Sequence, residues 1–195
     1  MFYGDDEDNE EQRFKFEKSG KNELIIIGIN PSTARADPKG TDNPEKDPTI
    51  ERAIEFSKRN WNYDDKKIKF DGFLMLNVYA QATSKTAALH TNRDFSLHQK
   101  NINKIDGYLQ ALKSADKKIY VLLAYGDSIK KRRWLKCCLY DIVDMLNMYN
   151  ATFFKLGKLT GENNPRHIKP QNQNLLPIST PLEEISNADF SLILK

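Results

Sequence analysis

The sequence predicts an α/β protein: a three-layer αβα sandwich around a central, mainly parallel four-stranded sheet. Three observations predict it. Four short runs, Leu24–Gly28, Phe73–Val78, Ile119–Ala124 and Ala151–Leu156, are rich in Ile, Leu, Val or Phe, and most lack polar alternation. Such runs mark strands covered on both faces. Amphipathic helical stretches separate them. The resulting order, β-α-β-α-β-α-β, calls for crossover connections and a doubly wound sheet. A chain of 195 residues is long enough for one such domain with a real core.

The elements follow in order. Residues 1–20 carry seven acids and three bases. Residues 1–12 are expected to be an acidic, flexible tail, and 13–195 a single domain. The first strand is followed by a long irregular stretch, Pro31–Lys46, and a loop of that length is usually functional or disordered. Asp47-Pro48 then opens a helix reaching Asn60, with Asp at the N-cap and Pro at the first helical position. Ile50, Ala53 and Ile54 share one of its faces. After the second strand, Ile102, Ile105, Leu109 and Leu112 mark the second helix. After the third, Leu135, Cys138, Leu139, Ile142, Val143 and Leu146 form an apolar stripe, with Lys130, Lys131, Arg132, Arg133 and Lys136 on the other face. Asp47 and Asp127 read first as N-caps and second as active-site acids. No internal repeat is visible.

The net charge of +3 is unevenly spread, because beyond residue 20 the chain holds 27 bases and 20 acids. A basic body suits a polyanion such as nucleic acid; a solvated, lysine-rich surface explains the charge equally well. No apolar run reaches the roughly 18–20 residues of a membrane span. The acidic N-terminus lacks the basic-then-apolar order of a signal peptide. A cytoplasmic monomer is expected, with no membrane partner. Cys137 and Cys138 are adjacent inside a helical pattern. They suit neither a disulfide framework nor a four-cysteine site. No metal and no cofactor are expected.

In doubly wound sheets ligands bind beyond the carboxyl ends of the strands. The exits here read Gly28-Ile29-Asn30-Pro31-Ser32-Thr33-Ala34, then Asn77-Val78-Tyr79-Ala80-Gln81-Ala82-Thr83, then Tyr125-Gly126-Asp127, then Gly161-Glu162-Asn163-Asn164-Pro165-Arg166-His167. Each piece alone is a weak signal, since Gly-x-Asn-Pro is also a tight turn and a lone His beside Pro is commonly structural. Small, amide or imidazole groups at all four exits make a stronger one.

Gly28-Ile29-Asn30-Pro31 resembles the first active-site motif of the mismatch-specific branch of the uracil-DNA-glycosylase superfamily. Leu76-Asn77 followed by Thr83 is similar to its base-reading strand, and Leu122–Gly126 with Lys130-Lys131 resembles its third strand and following helix. From about Phe14 to Pro177 the chain also resembles a bacterial and phage family of unknown function, marked by Asn30–Ala34, Asp47–Thr49 and Pro165–His167. The superfamily's last motif reads His-Pro-Ser, whereas Ile168 and Lys169 follow His167 here. Its fastest members carry Asp where this chain has Asn30, which implies a slow or specialised enzyme, or none.

The resemblance implies a uracil-DNA-glycosylase-like fold and a DNA glycosylase that removes an extruded pyrimidine. Cleaving the N-glycosidic bond builds positive charge on the sugar and negative charge on the base, after the base has left the stack. Asn30 would orient the water. Asn77 offers a carbonyl and an NH₂ in one plane to the polar edge of the base. His167 would donate a hydrogen bond to the base oxygen where charge develops. Thr33 and Tyr79 are candidate base contacts, Tyr79 or Tyr125 by stacking. Ser32, Arg166 and Lys169 are candidate contacts to the DNA backbone, with Arg35 a further pocket or phosphate candidate. The long Pro31–Lys46 stretch suggests a modified base, as in phage DNA, and hence antiviral defence. The alternatives are an enzyme acting on free nucleotides or nucleosides, and a non-catalytic nucleobase- or DNA-binding module.

Overall fold

The computed structural model describes residues 2–4, 15–18, 22–31, 48–57, 60–63, 66–81, 83, 86–169, 176–177 and 179–194. In chain order the strands are β1 (Phe2–Gly4), β2 (Lys15–Lys18), β3 (Glu23–Gly28), β4 (Asn60–Tyr63), β5 (Lys66–Lys69), β6 (Gly72–Asn77), β7 (Tyr120–Leu123), β8 (Thr152–Leu156) and β9 (Leu182–Glu184). The helices are α1 (Pro48–Ser57), α2 (Phe95–Ser114), α3 (Arg133–Met148) and α4 (Asn187–Ile193).

The four expected strands are β3, β6, β7 and β8, and they pair in parallel in the order β6-β3-β7-β8. The chain thus starts in the middle of the sheet, steps to one side for β6, and crosses back over β3 for β7. The strand order reverses between β3 and β7, which is where such sheets open a crevice at their carboxyl ends.

The sheet is wider than expected. Antiparallel β2 and β1 extend it beyond β6, and antiparallel β9 extends it beyond β8, giving seven strands. β1 falls inside the segment expected to be a tail; residues 5–14 lie outside the described residues. A separate hairpin, β4–β5, follows α1. These additions are short, and all but β1 are rich in charged or amide residues, as in Lys15-Phe16-Glu17-Lys18, so they carry little of the apolar signal that marks buried strands.

Period-two alternation sends each strand's side chains to two apolar layers. Ile25, Ile27, Leu74, Leu76, Val121, Leu123 and Phe153 face α2, α3 and α4. Leu24, Ile26, Phe73, Met75, Leu122 and Phe154 face α1, Trp61 of the hairpin and the buried Ile168 and Leu176. This is an αβα sandwich. Trp61 stacks on Phe56 at 5.8 Å and donates its indole N–H to the Phe56 carbonyl.

The helix termini refine the sequence reading. Asp94 caps α2, its side chain accepting from Leu97 N–H. Lys130 and Lys131 belong to a 3₁₀ turn over Asp127–Lys131, and α3 itself begins only at Arg133. Cys138 lies in the core, where burial pushes its thiol up to about 12, and Cys137 is exposed. No helix among the described residues is long and apolar enough to cross a membrane.

Candidate functional site

The exits of β6, β3 and β7 are stitched together by backbone hydrogen bonds. Val78 N–H donates to Gly28 O, Tyr79 N–H to Ile29 O, Thr83 N–H to Pro31 O and Ala124 N–H to Ile27 O, at 2.9–3.0 Å. Neighbouring strands stand about 5 Å apart, so the exits of β6 and β7 are about 10 Å apart with β3 between them.

Asn77 ends β6 directly opposite Gly28 in the parallel register. Both side-chain positions point into the α1 layer. Gly28 leaves room for that amide: a Cβ there would stand 2.9 Å from Asn77 Oδ1, and the side chain would have to shift. Asn77 is only 4 % exposed, yet its carboxamide makes no hydrogen bond to any described residue. An amide so buried costs free energy unless something pairs with it. Its main chain is held from the other layer, where the fully buried Asn101 of α2 donates Nδ2 to Asn77 O at 2.9 Å.

Asn30 is half-buried at the β3 exit. Its Nδ2 donates to Thr83 O at 2.9 Å and to Pro31 O at 3.0 Å, with Thr83 Oγ1 at 3.3 Å. Those carbonyls can only accept, so they fix which end of the amide is which. Oδ1 is left as an acceptor without a partner among the described residues.

His167 reaches the same end of the sheet by a different route. Gly126, just after β7, adopts φ +65° and donates its N–H to Pro165 O. A Cβ on Gly126 would stand 3.0 Å from His167 Cβ; the glycine lets the histidine segment lie against the strand exit. Asp127 anchors that segment, its Oδ1 accepting from Thr160 Oγ1 at 2.6 Å and Asn164 Nδ2 at 2.8 Å. Its carboxylate is thereby a fastener, and it caps no helix. On the far side, Arg52 of α1 donates to the carbonyls of Ile168 and Leu176. His167 Nδ1 lies 3.1 Å from Lys169 N–H and 2.9 Å from Lys169 O. The ring is thus tethered through Nδ1, which accepts from the N–H in one tautomer and donates to the carbonyl in the other.

Asn77, Asn30 and His167, 90 residues apart between Asn77 and His167 in the chain, therefore occupy three consecutive exits around the β3/β7 switch point. Other candidates lie elsewhere. Tyr79, expected as a base contact, is fully buried in the α2–α3 layer. Its ring packs edge-on to Trp134 at 4.6 Å, and its hydroxyl accepts from Asp94 N–H; the chain turns into that layer directly after Asn77. Tyr125 is fully buried in the same layer and its hydroxyl has no partner. Both rings are fully enclosed, so neither is a base-stacking surface, and burial raises both phenols above their ordinary value. Arg166 is half-buried and turns back to donate Nε to Lys158 O at 2.9 Å. Lys169 serves His167 through its backbone. Ser32, Thr33, Arg35 and Asp47 lie outside the described residues.

Sequence reasoning missed Gly28 as a contact surface for Asn77, and missed Asn101, Thr83 and Arg52 as supports. For Gly28 and Thr83 the spacing was visible in the motifs; Asn101 and Arg52 sit in ordinary helical patterns that carry no such signal. No group of three or more His, Cys, Asp or Glu among the described residues is arranged to hold a metal ion.

Residues 13–167 match the family described as "Protein of unknown function (DUF1643)". The match covers most of the chain, and the chain belongs to that family. No curated protein and no solved structure matches it.

Proposed function

We propose that this DUF1643 member is a monofunctional DNA N-glycosylase with a uracil-DNA-glycosylase-like fold, removing an extruded pyrimidine and leaving an abasic site. The observation that carries the reading is the division of labour between two amides. Asn30 is locked with its carbonyl outward, and Asn77 presents an unpaired, nearly buried carboxamide one strand away. A locked carbonyl acceptor suits a water that must be held in line. An unpaired planar donor–acceptor suits the polar edge of a flat heterocycle.

In this reading the base enters the crevice and pairs its edge with Asn77. The glycosidic electron pair leaves with the base, and an N–H of His167 stabilises the charge on its oxygen, an effect typically worth about 2.7–4 kcal/mol. Water held on Asn30 Oδ1 adds to the anomeric carbon, and its proton passes to the departing base or to solvent. An oxocarbenium-like centre needs little push from its nucleophile, so a neutral amide suffices. The long Pro31–Lys46 stretch supports a substrate larger than uracil, such as a modified pyrimidine of phage DNA, and a role in antiviral defence inside the cell.

The test is alkali-labile strand breakage in DNA carrying uracil, mismatches or modified cytosines. Breaks that vanish in Asn30→Ala and in His167→Ala are expected. Intact strands on every substrate, with DNA binding that weakens steeply in salt, would reduce the protein to a binding module. Hydrolysis confined to free nucleotides would make it a nucleotide enzyme.

A further inference from the structure

The topology places the first turns of α2 and α3 at the crevice end of the sheet. Each of these helices follows a strand exit and runs back to the start of the next strand. Asn101 of α2 touches Asn77 O at the very end of β6. Phe95 precedes it by six residues, so it stands about 9 Å further along the helix axis, beyond the sheet. α2 must cross β3 to connect β6 with β7, which brings it beside α3 below the β3/β7 crevice; Arg93 and His98 of α2's start pair with Asp141 of α3 at 2.9 Å.

At this overhang the surface is unusual. Phe95 is 72 % exposed, and the Arg93 guanidinium lies 4.9 Å from the centre of its ring. Lys131, at the end of the 3₁₀ turn, and Arg133, at the start of α3, are exposed and pair with no carboxylate among the described residues. The nearby acids are already engaged: Asp94 caps α2, Asp141 binds Arg93 and His98, Asp127 holds Thr160 and Asn164, and Glu162 pairs with Lys130. An exposed aromatic ring with a cation over one face, and unpaired bases at the start of the neighbouring helix, is a combination that stacks nucleobases and tracks a phosphate backbone.

We propose that Arg93, Phe95, Lys131 and Arg133 form a docking surface for single-stranded nucleic acid on the lip of the crevice, with Phe95 stacking a base of the strand. This binding does not rest on the base-binding reading of the crevice.

The experiment is fluorescence anisotropy with a labelled deoxythymidine oligonucleotide, which carries no uracil, against a duplex of the same length and against polyglutamate. Single-strand binding is expected to be tightest. Phe95→Ala should weaken it roughly tenfold at every salt concentration, and Phe95→Trp should restore it. Arg133→Ala and Lys131→Ala should each lower the salt slope by about one. Phe95 is exposed, so its variants should unfold at the wild-type temperature. Unchanged affinity in Phe95→Ala, tighter binding to duplex, or equal binding to polyglutamate overturns the proposal. Excision can fail in the assay above while this binding holds, and binding can fail while excision holds, so the two ideas fall separately.

Discussion

Gly28→Ala probes the link between the fold and Asn77 most directly. The added Cβ would stand 2.9 Å from Asn77 Oδ1, whereas carbon–oxygen contacts of this kind settle at about 3.3–3.6 Å. The amide must swing aside by roughly half an ångström in a position only 4 % exposed. Overpacking of this sort costs about 1–3 kcal/mol, and relief of glycine's unfolded-state freedom returns about 0.4–1 kcal/mol. A net loss of up to about 2.5 kcal/mol is expected. In a domain of this length each kcal/mol lowers the melting temperature by about 2–4 °C. The sign should reverse when Asn77 is truncated: in an Asn77→Ala background no oxygen remains to meet, so Gly28→Ala becomes neutral or stabilising. Thermal or urea unfolding of the two single variants and the double variant closes this cycle. Additivity within about 0.5 kcal/mol would refute the contact. On a DNA substrate, Gly28→Ala should also lose about 5- to 150-fold in kcat/KM, the equivalent of about 1–3 kcal/mol for a displaced polar partner.

Four further outcomes are expected. Asn30→Asp replaces the Nδ2 donor by an oxygen facing the Thr83 and Pro31 carbonyls, so it should destabilise the fold by about 1–3 kcal/mol and lower activity, which melting curves and strand-cleavage rates will read. Tyr125→Phe deletes a buried hydroxyl that has no partner, so urea unfolding should find it neutral or more stable by up to about 1 kcal/mol; a clear loss would reveal a hidden bond. His98 is nearly buried and desolvation lowers its pKa, opposed by Asp141. Its unfolded form binds protons more readily, so stability is complete above about pH 6.5 and declines as pH falls below it; the slope should flatten in His98→Gln. Arg52→Met frees the Ile168 and Leu176 carbonyls and should cost about 1.5–3 kcal/mol, with a fall in His167-dependent activity that exceeds the fall in DNA affinity.

The sheet's centre was legible because burial on both faces leaves a continuous apolar run, as in Leu24–Gly28 and Phe73–Val78. Its edges were not: Lys15–Lys18 and Leu182–Glu184 read as surface, and only pairing with a neighbour makes them strands. At the site, Asn30, Asn77 and His167 stood out as amides and an imidazole at strand exits. Tyr79 misled because a residue two places past a strand end has no fixed face; here the chain dives into the α2–α3 layer. Lys130 and Lys131 misled because helical periodicity continues through a 3₁₀ turn in sequence but not in space. The supports were invisible for a different reason. Asn101 and Arg52 act on backbone carbonyls, and any backbone carbonyl looks alike in a sequence.

Those supports explain why an amide stands at position 30. The pocket around its Nδ2 is built from two carbonyl oxygens, so the position selects for a donor on one side and leaves an acceptor on the other. A carboxylate would be the stronger base in isolation, but here its second oxygen would face like partial charges. In the proposed reaction the site is therefore neutral, and water is placed instead of ionised. The proposed reaction must then draw its acceleration from the leaving side, where charge collects on the base. That shifts the burden to His167, and it accounts for the effort spent in holding it: a glycine with φ +65° beneath it, Asp127 and Asn164 behind it, and Arg52 fixing the chain that follows. If catalysis is arranged this way, His167→Ala loses more rate than Asn30→Ala. The opposite order in single-turnover cleavage would mean that water positioning dominates and that the donor at the base is secondary.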